Sequence, residues 1–356
     1  MKKAIVAVPF LKGTGGTETV IKNFAQALDV KGQNNGISWK LISFGGSKET
    51  NWQDGWMKKV YNFTNSRYIQ LIAYMSIMPI LIANILKKEK PDYFIATNPM
   101  IWTIAYKSRK ILSPNTQIIA WYHYSFKMKH VKKIYLKYAD KFWAISNGIR
   151  QELLSMDVPS KKIQLVYNPV ALKKDTFGLS TSKQQINFIY IGRIDYDGQK
   201  NVSELIKALN KIKGNWHCDL YGSINKNTKD KLLDLANAET KKKISFKGFY
   251  KDVWNHINKA DVLILTSKYE GLGMVLIEAA SRGIALVSSD CPMGPSEIVN
   301  SSNGFLYKPG DVESLADILD KITSKKISLP EHKEIKDSVQ KFGYKEYSKK
   351  ILTSLN

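Results

Sequence analysis

The chain has 356 residues, too many for one compact hydrophobic core, so two domains are the default. An apolar fraction of 44% and a charged fraction of 24% exclude a disordered or fibrous chain, and two cysteines, Cys218 and Cys291, without CxxC spacing exclude a disulfide scaffold and a structural zinc site and point to a reducing compartment. The net charge of +23 is uneven: residues 1 to 170 hold 25 of the 54 basic side chains against 9 of the 31 acidic ones, a cationic surface that attracts nucleic acid or an anionic membrane.

Met1-Lys2-Lys3 is followed by an apolar run from Ala4 to Phe10 with no cleavage-site pattern, which predicts a first buried strand rather than a signal peptide. The strand, Ala4 to Val8, enters Leu11-Lys12-Gly13-Thr14-Gly15-Gly16-Thr17-Glu18, and an amphipathic helix is expected from Thr19 to about Leu28. A glycine loop after the first strand of a parallel sheet is where such folds place ligands. GxGxxG and the Walker lysine-serine pair are both missing, so a dinucleotide or P-loop reading is weak, and a plain tight turn is the alternative at Gly15-Gly16.

Tyr68 to Leu86 is uncharged and long enough to cross a bilayer, but Gln70, Ser76, Pro79 and Asn84 favour a buried or interfacial helix, kinked at Pro79. Strand-like runs at Lys40 to Phe44, Tyr93 to Ala96 and Gln117 to Trp121 alternate with helical or irregular stretches, the pattern of a doubly wound α/β domain. His123 stands just past the third of these runs, at a strand's C-terminal end where substrate is met, although a lone histidine is more often structural. Lys127 to Tyr138 interleaves basic and aromatic residues, which fits either anionic headgroups or a solvated helix face.

Residues 171 to 185 are polar and aperiodic, a linker. A second alternating series begins with the strand Ile186 to Ile191, which ends in Gly192-Arg193; Lys200 opens the helix Val202 to Leu209. The strand His217 to Tyr221 ends at Gly222, and Ile244 to Phe249 is the next apolar segment. Val262 to Leu265 leads into Tyr269-Glu270-Gly271-Leu272-Gly273-Met274 and an apolar helix that contains Glu278. The unpaired N–H groups and aligned dipoles of a helix start favour phosphate there. On one continuous helix Glu270 and Glu278 would stand ~80° apart; with Glu270 in the loop and Glu278 on the second turn, both can face one ligand. An ordinary βα turn with two surface glutamates, or the carboxylate pair of a glycoside hydrolase, are the alternatives. Asp311 is a plausible N-cap for a helix from Ser314 to Ile322, and Phe342, Tyr344, Tyr347, Ile351 and Leu355 mark a final helix.

Glu270-x7-Glu278 followed by a small-residue helix and Gly283 to Ser288 resembles the donor motif of retaining glycosyltransferases of family 4, which have the GT-B fold. The resemblance covers nearly the whole chain and, within the family, is to the lipopolysaccharide 1,6-galactosyltransferase branch. It implies two Rossmann-like doubly wound domains facing a central cleft: residues 1–170 as acceptor domain, 171–341 as nucleotide-sugar donor domain, and a helix over 342–356 packing back on the first. It implies that Arg193 and Lys200 hold the donor diphosphate, that Gly15 and Gly16 approach it, that His123 lies beside the donor sugar, and that Phe249 belongs to the segment reading the base. Glu270 would take the sugar hydroxyls, Glu278 the ribose hydroxyls, and Gly271, Leu272, Gly273 and Met274 the phosphate. The family's usual glycine after the lysine is Asn201 here, a departure expected to weaken the loop but not the charge.

The expected activity is therefore transfer of a hexose, galactose first, from a UDP-sugar with retention to a cell-envelope saccharide or glycolipid. The same chemistry on another glycan (exopolysaccharide, capsule, teichoic acid or glycoprotein) is the alternative. No cofactor and no metal are expected. The expected location is cytoplasmic, on the inner face of the membrane. A basic nucleic-acid-binding protein is the reading from another class; it calls for a reader motif, and the sequence contains none.

Overall fold

In a computed structural model that describes residues 1–13, 15–32, 35–63, 67–173 and 185–355, the chain forms two compact units. Residues 174 to 184 of the expected linker, and Thr14 of the first glycine loop, lie outside the described residues.

The first unit contains strands β1 (Lys2–Val8), β2 (Ile37–Phe44), β3 (Met57–Tyr61), β4 (Tyr93–Ala96), β5 (Gln117–Ala120), β6 (Lys141–Ala144) and β7 (Ile163–Leu165). Helices α1 (Gly16–Ala27), α2 (Arg67–Glu89), α3 (Pro99–Leu112) and α4 (Asn147–Ser155) connect them. All pairings are parallel, in the order β3-β2-β1-β4-β5-β6-β7. Parallel strands covered by crossover helices are apolar on both faces, as the unbroken burial of Ala4 to Val8 and of Tyr93 to Ala96 shows.

The second unit contains β8 (Ile186–Ile191), β9 (Trp216–Tyr221), β10 (Ile244–Gly248), β11 (Val262–Leu265), β12 (Ala285–Ser289) and β13 (Gly304–Tyr307). Its helices are α5 (Val202–Leu209), α6 (Lys226–Leu235), α7 (Ala238–Lys243), α8 (Met274–Ala280), α9 (Pro295–Ile298), α10 (Val312–Thr323) and α11 (His332–Ser338). The strands are again all parallel, in the order β10-β9-β8-β11-β12-β13. Both sheets thus repeat the doubly wound order, in which the winding reverses beside the first strand of each series. Asp311 caps α10, its Oδ1 accepting the Ser314 N–H at 3.0 Å.

The last helix, α12 (Tyr344–Ser354), belongs to the first unit. Tyr347 packs edge-on against Phe24 of α1 at 6.1 Å between ring centroids, and Phe24 in turn lies 5.0 to 6.2 Å from Trp39, Trp121 and Trp143. Tyr344 donates its hydroxyl to Gln26 at 2.7 Å, and Lys141 donates to the Ser354 carbonyl at 2.5 Å.

α2 keeps Pro79 inside its 23 residues. It buries Met78, Ile82, Ile85 and Leu86 while Ile72, Ile77 and Ile80 stay exposed. No helix among the described residues is long and apolar enough to cross a membrane. Residues 127 to 138 do not form the solvated α-helix face that was one of the two expectations. Turns run through Lys129 and His130, His130 at φ +49°, and only Lys133–Tyr138 form a 3₁₀ helix.

Candidate functional site: the switch point of the second sheet

β8 pairs with β9 on one side and β11 on the other, so the loops leaving β8 and β11 diverge at the point where the strand order reverses. In doubly wound sheets the crevice beyond the strands' carboxyl ends is the ligand position. Arg193 and Lys200 lie on the first of these loops and Glu270 on the second.

The β8 loop is built around Asp195. Its Oδ1 accepts the Asn201 N–H at 2.9 Å and its Oδ2 the Lys200 N–H at 3.2 Å, which turns the chain into α5. The buried Tyr190 hydroxyl donates to the Arg193 carbonyl at 2.9 Å. Asn201, in place of the family's usual glycine, sits at φ +50°, ψ +49°. Asparagine is among the few residues besides glycine that enter this left-handed region routinely, so the turn is kept. Its side-chain amide donates to Glu204.

Lys200 Nζ stands 2.6 Å from Glu270 Oε1, which also accepts the Ser267 hydroxyl at 2.6 Å. Both partners are largely buried, with side chains 17% and 9% exposed. The loops are tied further by Gln199, whose amide donates to the Tyr269 carbonyl at 3.0 Å, and by the Thr266 hydroxyl on the Lys200 carbonyl at 2.9 Å. Arg193 is held differently. Its side chain is 62% exposed, 3.6 Å from Asp195 and 3.5 Å from Gln199. The two cations expected to act alike are therefore one paired lysine and one loosely held arginine.

The β11 loop enters α8 through Gly271, Leu272 and Gly273. Gly273 is the N-cap residue at φ +85°, with no side-chain cap on the helix amides that begin at Met274. Gly294, the N-cap of α9 at φ +110°, lies against this loop: a Cβ there would stand 2.1 Å from the Leu272 carbonyl oxygen.

On α8, Glu278 Oε2 accepts the Trp254 indole N–H at 3.0 Å. Burial pushes the Glu278 carboxyl up from its ordinary range, and the Trp254 N–H and the charge of Arg282 oppose that rise. The Arg282 guanidinium lies over the Trp254 ring at 4.2 Å and donates to the Glu278 carbonyl at 2.8 Å. Beyond β10, Phe249 is 54% exposed, and Tyr250 stacks on His256 at 4.1 Å.

The remaining expected residues are in the first unit. Gly15 is the N-cap of α1, and a Cβ on Gly16 would meet nothing. Glu18, buried in the first turn of α1, accepts the Gly13 N–H at 2.8 Å and supplies the negative charge that a helix start favours. His123 is buried, against Trp121 at 4.5 Å, and neither ring nitrogen has a hydrogen-bond partner among the described residues. Burial drives its pKa down to about 3, so the imidazole is neutral at pH 7. It can exchange hydrogen bonds but carries no charge.

Sequence reasoning missed Asp195, Ser267 and Trp254. Asp195 carried a signal, an Asx residue between a strand-ending glycine and a helix start. The other two are ordinary loop residues until the fold brings them to Glu270 and Glu278. Among the described residues no three His, Cys, Asp or Glu side chains gather in a metal-holding group.

Comparison with known proteins bears on this geometry. The family described as Glycosyltransferase Family 4 matches residues 14–174, and the family Glycosyl transferases group 1 matches residues 173–346. The lipopolysaccharide 1,6-galactosyltransferase of Escherichia coli (strain K12) is 29% identical over 346 residues, 95% of this chain and 93% of that protein. The apo structure of a lipopolysaccharide outer core galactosyltransferase superimposes with a TM-score of 0.84 at 26% identity, covering 98% of each chain. An Anabaena protein solved in complex with UDP shares the fold at a TM-score of 0.78 and 17% identity, over 100% of this chain and 99% of that one.

The burial contrast between the two cations has a measurable consequence. Lys200→Ala leaves the Glu270 carboxylate buried with a single hydroxyl donor and is expected to cost about 3 kcal/mol of unfolding free energy. Arg193→Ala, at an exposed position, is expected to stay within about 0.5 kcal/mol of the parent. Urea denaturation of both variants checks this, and equal losses would contradict the pairing.

Proposed function

The chain belongs to the GT-B glycosyltransferases, with a family 4 first domain and a group 1 second domain, and from that premise we propose that it is a retaining hexosyltransferase using a UDP-sugar. Nucleotide-sugar-dependent glycosyl transfer of the lipopolysaccharide galactosyltransferase type is the coarser statement that the family supports. The observation that carries the finer reading is the meeting of Arg193, Lys200 and Glu270 at the switch point of the second sheet, beside the uncapped start of α8. The UDP bound by the Anabaena protein of the same fold supports the choice of nucleotide.

In this reading the bond between the anomeric carbon and the β-phosphate oxygen breaks, and the acceptor hydroxyl attacks on the same face. Its proton passes to the departing phosphate, and UDP leaves. Negative charge grows on the diphosphate in the transition state, so preorganised donors aimed there lower the barrier most. Arg193, exposed and weakly held, is free to reach it. Lys200 turns from Glu270 to the phosphates, and Glu270 is released to the sugar hydroxyls. We assign Glu278 to the ribose and Gly271 to Met274 to the phosphate. His123 is assigned to the donor sugar and Gly15-Gly16 to the diphosphate on the resemblance to the family. Arg193 and Lys200 then supply the charge that a metal supplies in other transferases, so no metal is needed.

The acceptor is a saccharide or glycolipid of the cell envelope, reached from an anionic membrane surface on its cytoplasmic side. Support comes from the cationic first half, the exposed Ile72, Ile77 and Ile80 of α2, and an open groove of about 640 Å³ where Lys133, Lys137 and Lys162 surround Leu136, Met156 and Val158.

Calorimetry is expected to show UDP binding in the micromolar range, about −8 kcal/mol or weaker. Glu278→Ala should weaken UDP, whereas Glu270→Ala should leave UDP affinity nearly intact and impair sugar transfer; equal weakening would refute this division of roles. Activity should survive excess chelator, and a loss restored by Mg²⁺ or Mn²⁺ would count against the metal-free mechanism. Binding to acidic liposomes should weaken as salt rises, because screening sets in within ~8 Å at physiological ionic strength. Equal binding to neutral and acidic vesicles would remove the electrostatic part.

A further inference from the structure

Glu278 is not held by its own helix. An anionic carboxylate on a short helix is free to rotate, and a site that reads hydroxyls needs it fixed in angle as well as position. The fixing group comes from the segment between β10 and β11, where residues Val253–Asn255 form a 3₁₀ turn that carries Trp254 to α8. The indole N–H occupies Glu278 Oε2 at 3.0 Å. Arg282, in the turn that follows α8, closes the clamp: its guanidinium covers the indole at 4.2 Å while its Nη1 donates to the Glu278 carbonyl at 2.8 Å. Trp254 therefore cannot shift without disturbing both the ring contact with Arg282 and the carboxylate.

An indole N–H is a donor only; on the ionised carboxylate it takes one of about four lone-pair positions and leaves the others for ligand hydroxyls. The charge of Arg282 and the Trp254 N–H both favour the anion against burial. The same segment follows Phe249 and Tyr250 and includes His256, on which Tyr250 stacks at 4.1 Å. The aromatic side of the nucleotide position and the ribose carboxylate are thus parts of one connected segment.

We infer that Trp254 is the positioning residue that sets Glu278 for a ribose diol, making the site selective for ribonucleoside over deoxyribonucleoside diphosphates. This rests on the assignment of Glu278 to the ribose. It means that the class of donor is set through Glu278 by the residue that orients it. A donor built on a deoxynucleotide leaves the oriented oxygen unpaired and loses the free energy of its hydrogen bond.

The test compares binding of UDP with that of 2′,3′-dideoxy-UDP by calorimetry in the full chain. The parent should prefer UDP by on the order of tenfold or more, the loss expected for one unmade hydrogen bond to a charged group. Trp254→Phe should bring that preference down to the value in Glu278→Ala while leaving dideoxy-UDP affinity unchanged, and the double variant should be no worse than Glu278→Ala alone. If Trp254→Phe does not fold, benzothienylalanine at position 254, which keeps the bicyclic volume and removes only the N–H, should give the same result. A variant at 254 that keeps the parent's preference, or that weakens both ligands equally, overturns the positioning role while the ribose assignment stands. If Glu278→Ala itself leaves the preference unchanged, the ribose assignment falls and the positioning role with it.

Discussion

The salt bridge from Lys200 to Glu270 is the contact on which the second unit's site depends. The two residues are held on loops that leave neighbouring strands, β8 and β11, in opposite winding directions, and nothing else in the sheet would bring them together. A doubly wound parallel sheet opens a crevice there because its crossover helices turn away to opposite faces. An opened crevice lined with unpaired charge is costly in a partly buried setting. The lysine and the carboxylate satisfy each other at 2.6 Å, and the site stands ready with both charges preorganised. On the proposed donor reading, a diphosphate that took the lysine would free the carboxylate at the same step, and binding of the leaving group and recognition of the sugar would be coupled through one exchange.

Around that pair the loops are rigid for local reasons. Asp195 folds the β8 loop onto its own amides, Asn201 takes the left-handed turn, and Gly294 lies against the Leu272 carbonyl. Arg193 is left exposed and only loosely paired. The first unit is built on the same strand order but carries a different chemistry at its first glycine loop, where Glu18 already occupies the start of α1.

Much of this was legible in the amino-acid sequence because parallel strands are buried on both faces and announce themselves as apolar runs; Ile186 to Ile191 and Val262 to Leu265 are found where their side chains predict them. β3 was not, because Met57–Tyr61 is an edge strand with nearly every side chain exposed and reads as polar loop. β7 is three residues long and leaves no period to detect. The basic stretch near Lys127 has a composition suited to a helix, but turns at Lys129 and His130 interrupt it and leave only the short 3₁₀ segment. The site was legible in its parts, as glycines, cations and two glutamates in plausible places. Its couplings were not: Lys200 and Glu270 are far apart in the chain, and Trp254 is a solitary tryptophan whose partner only the fold selects.

The central claim, that the switch point of the second sheet is a nucleotide-diphosphosugar donor site, is tested most directly without any knowledge of the acceptor. UDP-galactose, UDP-glucose and UDP-N-acetylglucosamine, with GDP-, ADP- and dTDP-sugars beside them, are incubated with the protein alone, and nucleotide release is followed. The account predicts slow release of UDP from at least one of the UDP-hexoses, lost in Arg193→Ala and Glu270→Ala. Release from none of the nucleotide sugars, together with cleavage of a simple glycoside that carries no nucleotide, would contradict it and assign the two glutamates to hydrolysis.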